Sequence, residues 1–321
     1  MRTEPAGRFT ASGWRLARCE KERNKVIVRN NPTFLELIGL WRLSILPRIA
    51  PQLASVFVWS CLVVGYGARS TSALQAWTVA PFTLLGVALS IFLGFRNSAC
   101  YDRWWEARRQ LGALVAESRS FARICVSIPQ IDQASREDIL KKTITFTNEL
   151  MRSLRQELPS LVMSDEMVRP RNTPDFMLRR IGHGVAQQLA LGNIGEQLYK
   201  LLEERLVAFA NIQAACERIQ STPTPFTYTL LVDRTTYAYC FLLPFGLAGT
   251  MGWVTPLFAT LVAYAFFGLD ALGDELESPF GNHVNALPLS ALARTVEISL
   301  LEALETRTIP DTLEPVDSVL V

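Results

Sequence analysis

Apolar residues gather into four blocks along the chain, separated by polar stretches. The first, about Ile49–Gly67, carries LASVFVWSCLVVGYG, and the second, about Trp77–Phe95, carries TVAPFTLLGVALSIFLGF. The third, about Phe226–Leu247, is interrupted only by Asp233 and Arg234, and the fourth, about Trp253–Leu272, carries TPLFATLVAYAFFGLDAL. Each approaches the roughly 20 residues that a helix needs to cross a ~30 Å hydrocarbon layer. The pattern predicts four transmembrane helices (spans about 49–67, 77–95, 226–247 and 253–272). Between the second and third blocks the period changes. Apolar residues three and four apart predict amphipathic helices over Arg103–Ile128, Ser135–Leu158, Pro174–Leu191 and Asn193–Gln220, with another over about Leu289–Leu304. The proline-bearing run SLVMSDEMVRPRNTP at 160–174 reads as a loop. There is no internal repeat and no strand pattern. The expected fold is all-α: a membrane helical bundle plus a large cytosolic helical region at 97–222 and 279–305.

Composition sharpens this picture. Of 321 residues, 49% are hydrophobic and 19% charged, below the roughly 25% charge usual in soluble proteins. A net charge of +2 gives no support for a nucleic-acid partner. The placement of the charges says more. Ten Lys/Arg precede the first block and 18 lie between Arg96 and Arg218, out of 32 in all. The linker between the first two blocks holds only Arg69, and that between the last two holds none. Basic residues stay on the cytoplasmic side, so both termini and the central region are expected there. Residues 1–30 carry eight Lys/Arg and no apolar stretch, so no signal peptide is visible. Six cysteines, at 19, 61, 100, 125, 216 and 240, form no CxxC pair, and the two histidines stand alone. No metal centre or cofactor is expected from such spacing.

Candidate chemistry is sparse. No Gly-rich phosphate loop, nucleophile elbow or metal-ligand pair at helical spacing occurs, which argues against an enzyme. The acidic run Asp270, Asp274, Glu275 and Glu277 reads equally as a solvated helix end or as a cation or partner site. His183 and His283 read as structural. Val87, Ile91 and Phe95 share one helix face, drifting about 40° per step. A stripe of this kind faces lipid or core in a lone helix. Several copies around an axis would stack it into apolar rings that gate by dewetting. Immediately after it, FRNSACYDRWWEARR suits the headgroup layer, and its Arg96, Asp102, Arg103 and Glu106 are candidates for ion pairs where the helix leaves the bilayer. Asp233 and Arg234, about two turns into the third block, suggest mutual pairing or a wet vestibule, because ionisable groups at that depth are costly.

Three separated runs, GFRNSACYDRWWEAR at 94–108, TPTPFTYT at 222–229 and ELESPFGNHVNALPL at 275–289, make the chain resemble the bestrophin family, in its bacterial branch. The resemblance covers about Ile27–Leu304, so residues 26–305 form one channel domain, 1–25 an N-terminal extension and 306–321 a flexible tail. It implies a homopentameric channel in the cell inner membrane, surrounded by lipid, with Val87, Ile91 and Phe95 as its neck. It also implies a cytosolic constriction somewhere on 193–220. Animal members follow the equivalent of Ser278-Pro279-Phe280-Gly281 with acidic residues that clasp calcium, whereas Asn282-His283-Val284-Asn285-Ala286 follows here. Calcium gating is therefore not expected. The missing calcium chemistry and the bacterial likeness tilt the expected permeant ion towards monovalent cations such as sodium. Chloride conduction on the same architecture and a membrane-anchored scaffold are the alternatives.

Overall fold

The computed structural model describes residues 26–27, 45–67, 79–160, 170–314 and 319–320. The expected 1–25 extension and the linker bearing Arg69 lie outside them. Among the described residues the helices are α1 (Leu46–Gly67), α2 (Ala80–Ser127), α3 (Gln133–Leu154), α4 (Thr173–Ala190), α5 (Glu196–Ser221), α6 (Phe226–Met251), α7 (Thr255–Glu277) and α8 (Leu289–Ala303). The described residues hold one two-residue ladder besides, β1 (Val26–Ile27) antiparallel to β2 (Val319–Leu320), pairing Val26 with Leu320 and Ile27 with Val319. Two residues are too few to leave the alternating pattern by which strands are read, so the expectation of no strand missed it.

Three helical stretches are long and apolar enough to cross a membrane: Leu46–Gly67, Ala80–Ser127 and Phe226–Glu277. The last is broken by a 3₁₀ turn at Gly252–Val254, where Gly252 takes a φ of 53° that a β-carbon would disfavour. On either side of the break α6 and α7 pack together, with Tyr239 edge-on to Phe266 at 5.3 Å and Tyr237 against Phe267 at 4.9 Å. At ~1.5 Å per residue each arm exceeds ~30 Å.

The chain divides into two compact units. One comprises 30–112 and 214–279. Its core joins Ile49 and Val56 of α1, Leu89 and Leu93 of α2, Cys240 and Leu243 of α6, and Ala259, Ala263 and Phe267 of α7. The small Ala259 and Ala263 suit the close approach on which helix packing in lipid depends. The other unit comprises 1–29, 113–213 and 280–321. It is built around Phe209, whose ring meets Phe121 at 5.8 Å and Phe146 at 5.7 Å. Its helices start where the sequence supplies caps. Asp132 accepts a hydrogen bond from the Ser135 amide, and Asn172 one from Asp175 ahead of Pro174 in the first turn.

One boundary differs substantially from expectation. Span 77–95 and helix Arg103–Ile128 are a single 48-residue helix, α2. The run between them holds no proline, and its buried Arg96 finds carboxylate partners without breaking the backbone. The fourth block likewise runs on as helix to Glu277, for a reason given below.

A candidate pore-lining face and its ion-pair anchor

The membrane part of α2 has two sides. Phe82, Leu89, Leu93 and Cys100 are buried in its own unit, spaced alternately by about two turns and one. Roughly opposite them, Val87, Ile91 and Phe95 are 56%, 52% and 66% exposed. Leu84 is exposed as well, and so are the small residues Thr83, Ser90, Gly94 and Ser98. This face of α2 therefore has no partner among the described residues. Its position is fixed from behind. Gly86 lies so close to α6 that a β-carbon there would stand 2.6 Å from the Tyr239 hydroxyl oxygen.

Arg96, one residue past Phe95, points the other way. It is 1% exposed, the most deeply buried charged side chain of the bundle. Its guanidinium donates to Asp270 Oδ1 at 2.5 Å and to Asp274 Oδ1 at 2.6 Å, and Glu277 Oε2 lies 3.8 Å away. Positions 270, 274 and 277 fall on one face of α7, so the acidic run is neither a solvated end nor an open cation site. It is Arg96's counter-charge, and α7 continues to Glu277 to present it. Arg48 of α1 joins through Asp274 at 2.7 Å and Glu275 at 3.7 Å. Gly273 admits the cluster, since a β-carbon there would lie 3.3 Å from an Arg96 amino nitrogen.

The other exit residues behave differently from one another. Arg103 makes no carboxylate pair among the described residues. It donates to the backbone carbonyls of Ile219, Thr222 and Glu277, capping the end of α5. Glu106 pairs with Arg218 at 2.6 Å. Asp102 is exposed and has no ion pair among the described residues. Glu277 also accepts from the amide and hydroxyl of Thr224, at 2.9 and 2.6 Å, tying the TPTPFTYT run to the same cluster.

Asp233 and Arg234 do not pair with each other, because adjacent residues on a helix point about 100° apart. Asp233 instead meets Asp270, while Arg234 is exposed with no ion pair among the described residues. On α5, where a second constriction was expected, Leu201 and Val207 are the exposed large apolar side chains. Reading the sequence locally missed that Arg96's partners are Asp270, Asp274 and Glu277. The i, i+4, i+7 spacing of those carboxylates was the available signal.

A long helix whose apolar face has no partner among the described residues, anchored by a buried arginine among apolar spans, defines an integral membrane protein. Residues 26–302 match the bacterial/fungal bestrophin family, and the chain belongs to that family. It is 43% identical over 291 residues to "Voltage-dependent anion channel-forming protein mll4386" of Mesorhizobium japonicum, covering 88% of this chain and 94% of the relative. It is 36% identical over 299 residues to "Voltage-dependent anion channel-forming protein YneE" of Escherichia coli K12, covering 90% and 98%. Among solved structures, a bacterial bestrophin homologue from Klebsiella pneumoniae superposes with a TM-score of 0.77 at 33% identity, covering 81% of this chain and 100% of that one.

Proposed function

We propose that the chain is one subunit of a passive anion channel of the inner membrane. A homopentamer would bring five copies of α2 around one axis, with Val87, Ile91 and Phe95 as stacked apolar rings forming the neck. Each subunit would cross the bilayer four times, through α1, the start of α2, α6 and α7, with both termini cytoplasmic. The observation that carries the reading is the exposure of these three side chains opposite the buried face of α2. Apolar side chains of this size, left uncovered by their own fold, need a lipid, a neighbour or a dewetted constriction against them.

The family argues for chemistry without catalysis. No step here needs a nucleophile, and conduction needs only a path. For the permeant ion, the names of the relatives favour anions over the sodium expected from sequence. The carboxylates of α7 also offer a cation little, because Arg96 and Arg48 already hold Asp270, Asp274 and Glu275. Arg234, exposed and unpaired among the described residues, is the residue we assign to an anion-attracting vestibule. Asp233, turned towards Asp270, is the weaker vestibule candidate.

The test is purified protein in a planar bilayer under a NaCl gradient. A reversal potential near the chloride equilibrium value is expected, unchanged when free calcium is chelated. A value near the sodium potential would return the cation reading. No current at all would favour a membrane-anchored scaffold.

A further inference from the structure

The C-terminal turn of α3 and the start of α8 line a half-open cavity of about 340 Å³. Its lining is rich in positive charge. Arg152, Arg155 and Arg294 all contribute to the wall, with Asn148, Ser160 and Ser290 beside them. Met151, Leu289, Ala293 and Leu313 supply an apolar floor.

Arg155 is the anomaly. It is partly buried, and its Nε has no hydrogen-bond partner. Among the described residues its guanidinium has no ion pair, whereas Arg294 is held by Glu297 at 3.4 Å. Arg152 donates to the Leu158 carbonyl and likewise lacks a carboxylate. Burial lowers the Arg155 pKa, and nearby Glu157 offsets only part of that. A partly desolvated guanidinium with open donors is costly, and natural folds keep one where something supplies the missing acceptor. The first turn of α8 adds donors of its own. Its N-cap is Pro288, no side chain caps the helix, and no acidic residue sits in that turn. The opposing carboxylates among the described residues are accounted for. Glu297 is spent on Arg294, Glu157 is exposed at the rim, and nearby Glu149 accepts from the amide and hydroxyl of Ser160.

We infer that this cavity is a binding site for a small phosphate-bearing organic anion, held by Arg155 and Arg152 with its carbon body against Leu289, Ala293 and Leu313. Planar guanidiniums match phosphate oxygens two at a time. The volume falls at the small end of ligand pockets and suits a phosphate monoester of a few carbons. Neither α3 nor α8 is among the apolar spans, so a water-soluble ester is the source rather than a lipid headgroup. The site is independent of the conduction reading.

The test uses the full chain in detergent, titrated calorimetrically with glycerol 3-phosphate and with inorganic phosphate at constant ionic strength. Saturable binding of glycerol 3-phosphate is expected, weakened at least ten-fold in Arg155→Gln and several-fold in Arg152→Gln. Arg155→Lys should retain part of it, and Arg179→Gln, outside the cavity, all of it. Arg155→Gln should melt no lower than the parent in the absence of phosphate, which separates a ligand role from a structural one. Unchanged binding in the Arg152→Gln/Arg155→Gln double variant would overturn the site. So would an absence of saturable glycerol 3-phosphate binding in the parent. Response to dihexanoyl phosphatidylglycerol alone, with none to glycerol 3-phosphate, would overturn the soluble source.

Discussion

Replacing Arg96 with Met removes the charge that holds α2 against α7 while keeping much of the side chain's volume. The consequences for its three carboxylates differ. Asp274, 38% exposed, keeps Arg48 at 2.7 Å. Glu277 keeps the amide and hydroxyl of Thr224. Asp270, 15% exposed, loses its one ion-pair partner among the described residues and is left facing Asp233. The cost therefore concentrates on a single carboxylate. Stranding a buried charge costs about 3–5 kcal/mol, and the residual exposure of Asp270 puts this case at about 3. At about 2–3 °C per kcal/mol for a chain of this size, Arg96→Met should lower the melting temperature by roughly 6–9 °C. Thermal scans in detergent, followed by tryptophan fluorescence at a fixed heating rate, would read it. The decisive variant is Arg96→Met/Asp270→Asn. With the stranded charge gone, at least half of the loss should return, a coupling of more than about 1 kcal/mol. A single variant melting within 1–2 °C of the parent, or strictly additive losses, would refute the assignment of Arg96 as the anchor of α2.

Other expectations follow from neighbouring geometry. Gly86→Ala forces a methyl against the buried Tyr239 ring and should cost about 1–3 kcal/mol by overpacking, read in the same melts. Phe209→Ala empties the centre of the second core and should cost about 3–5 kcal/mol. Burial, reinforced by Glu217 and Glu106, pushes the Cys216 thiol up from 9.0 to about 12. Its folded pKa exceeds its unfolded one, so its contribution is complete below pH 9 and fades as pH climbs towards 12. Native protein at pH 8.5 should resist iodoacetamide at Cys216 and become labelled there only on unfolding, as peptide mass spectrometry would show. Arg234→Glu should shift the reversal potential away from chloride in a bilayer recording; no shift would remove it from the ion path.

Much of this fold was legible because lipid imposes a coarse rule. Stretches such as LASVFVWSCLVVGYG can only be helices of one length range, and α1 and α6 begin within three residues of where the pattern placed them. The amphipathic helices were equally visible, since Phe121, Phe146 and Phe209 stand where a three- and four-residue rhythm puts buried side chains. What failed was joining elements. Arg96 to Arg103 looks like a break because it is charged, yet α2 passes straight through, with Arg96 neutralised from α7 and Arg103 from the carbonyls at the end of α5. Those partners lie more than 110 residues away, beyond any local window. The same distance hid the role of the acidic run, read from its own neighbourhood as a helix end. Spacing placed Val87, Ile91 and Phe95 on one helix face, but it did not decide between an exposed face and a buried one. No spacing marked Arg155, whose interest lies in the partners it lacks.

We propose that the exposed face of α2 is the narrowest part of an ion path. The most direct measurement is single-channel current from reconstituted parent protein and from Val87→Ala/Ile91→Ala/Phe95→Ala, at equal protein density and voltage. The neck assignment predicts a clearly larger unitary current in the triple variant, with modest loss of selectivity, because smaller side chains widen and wet the ring. Equal unitary currents would contradict it, and would leave that face of α2 to lipid or to a neighbouring helix.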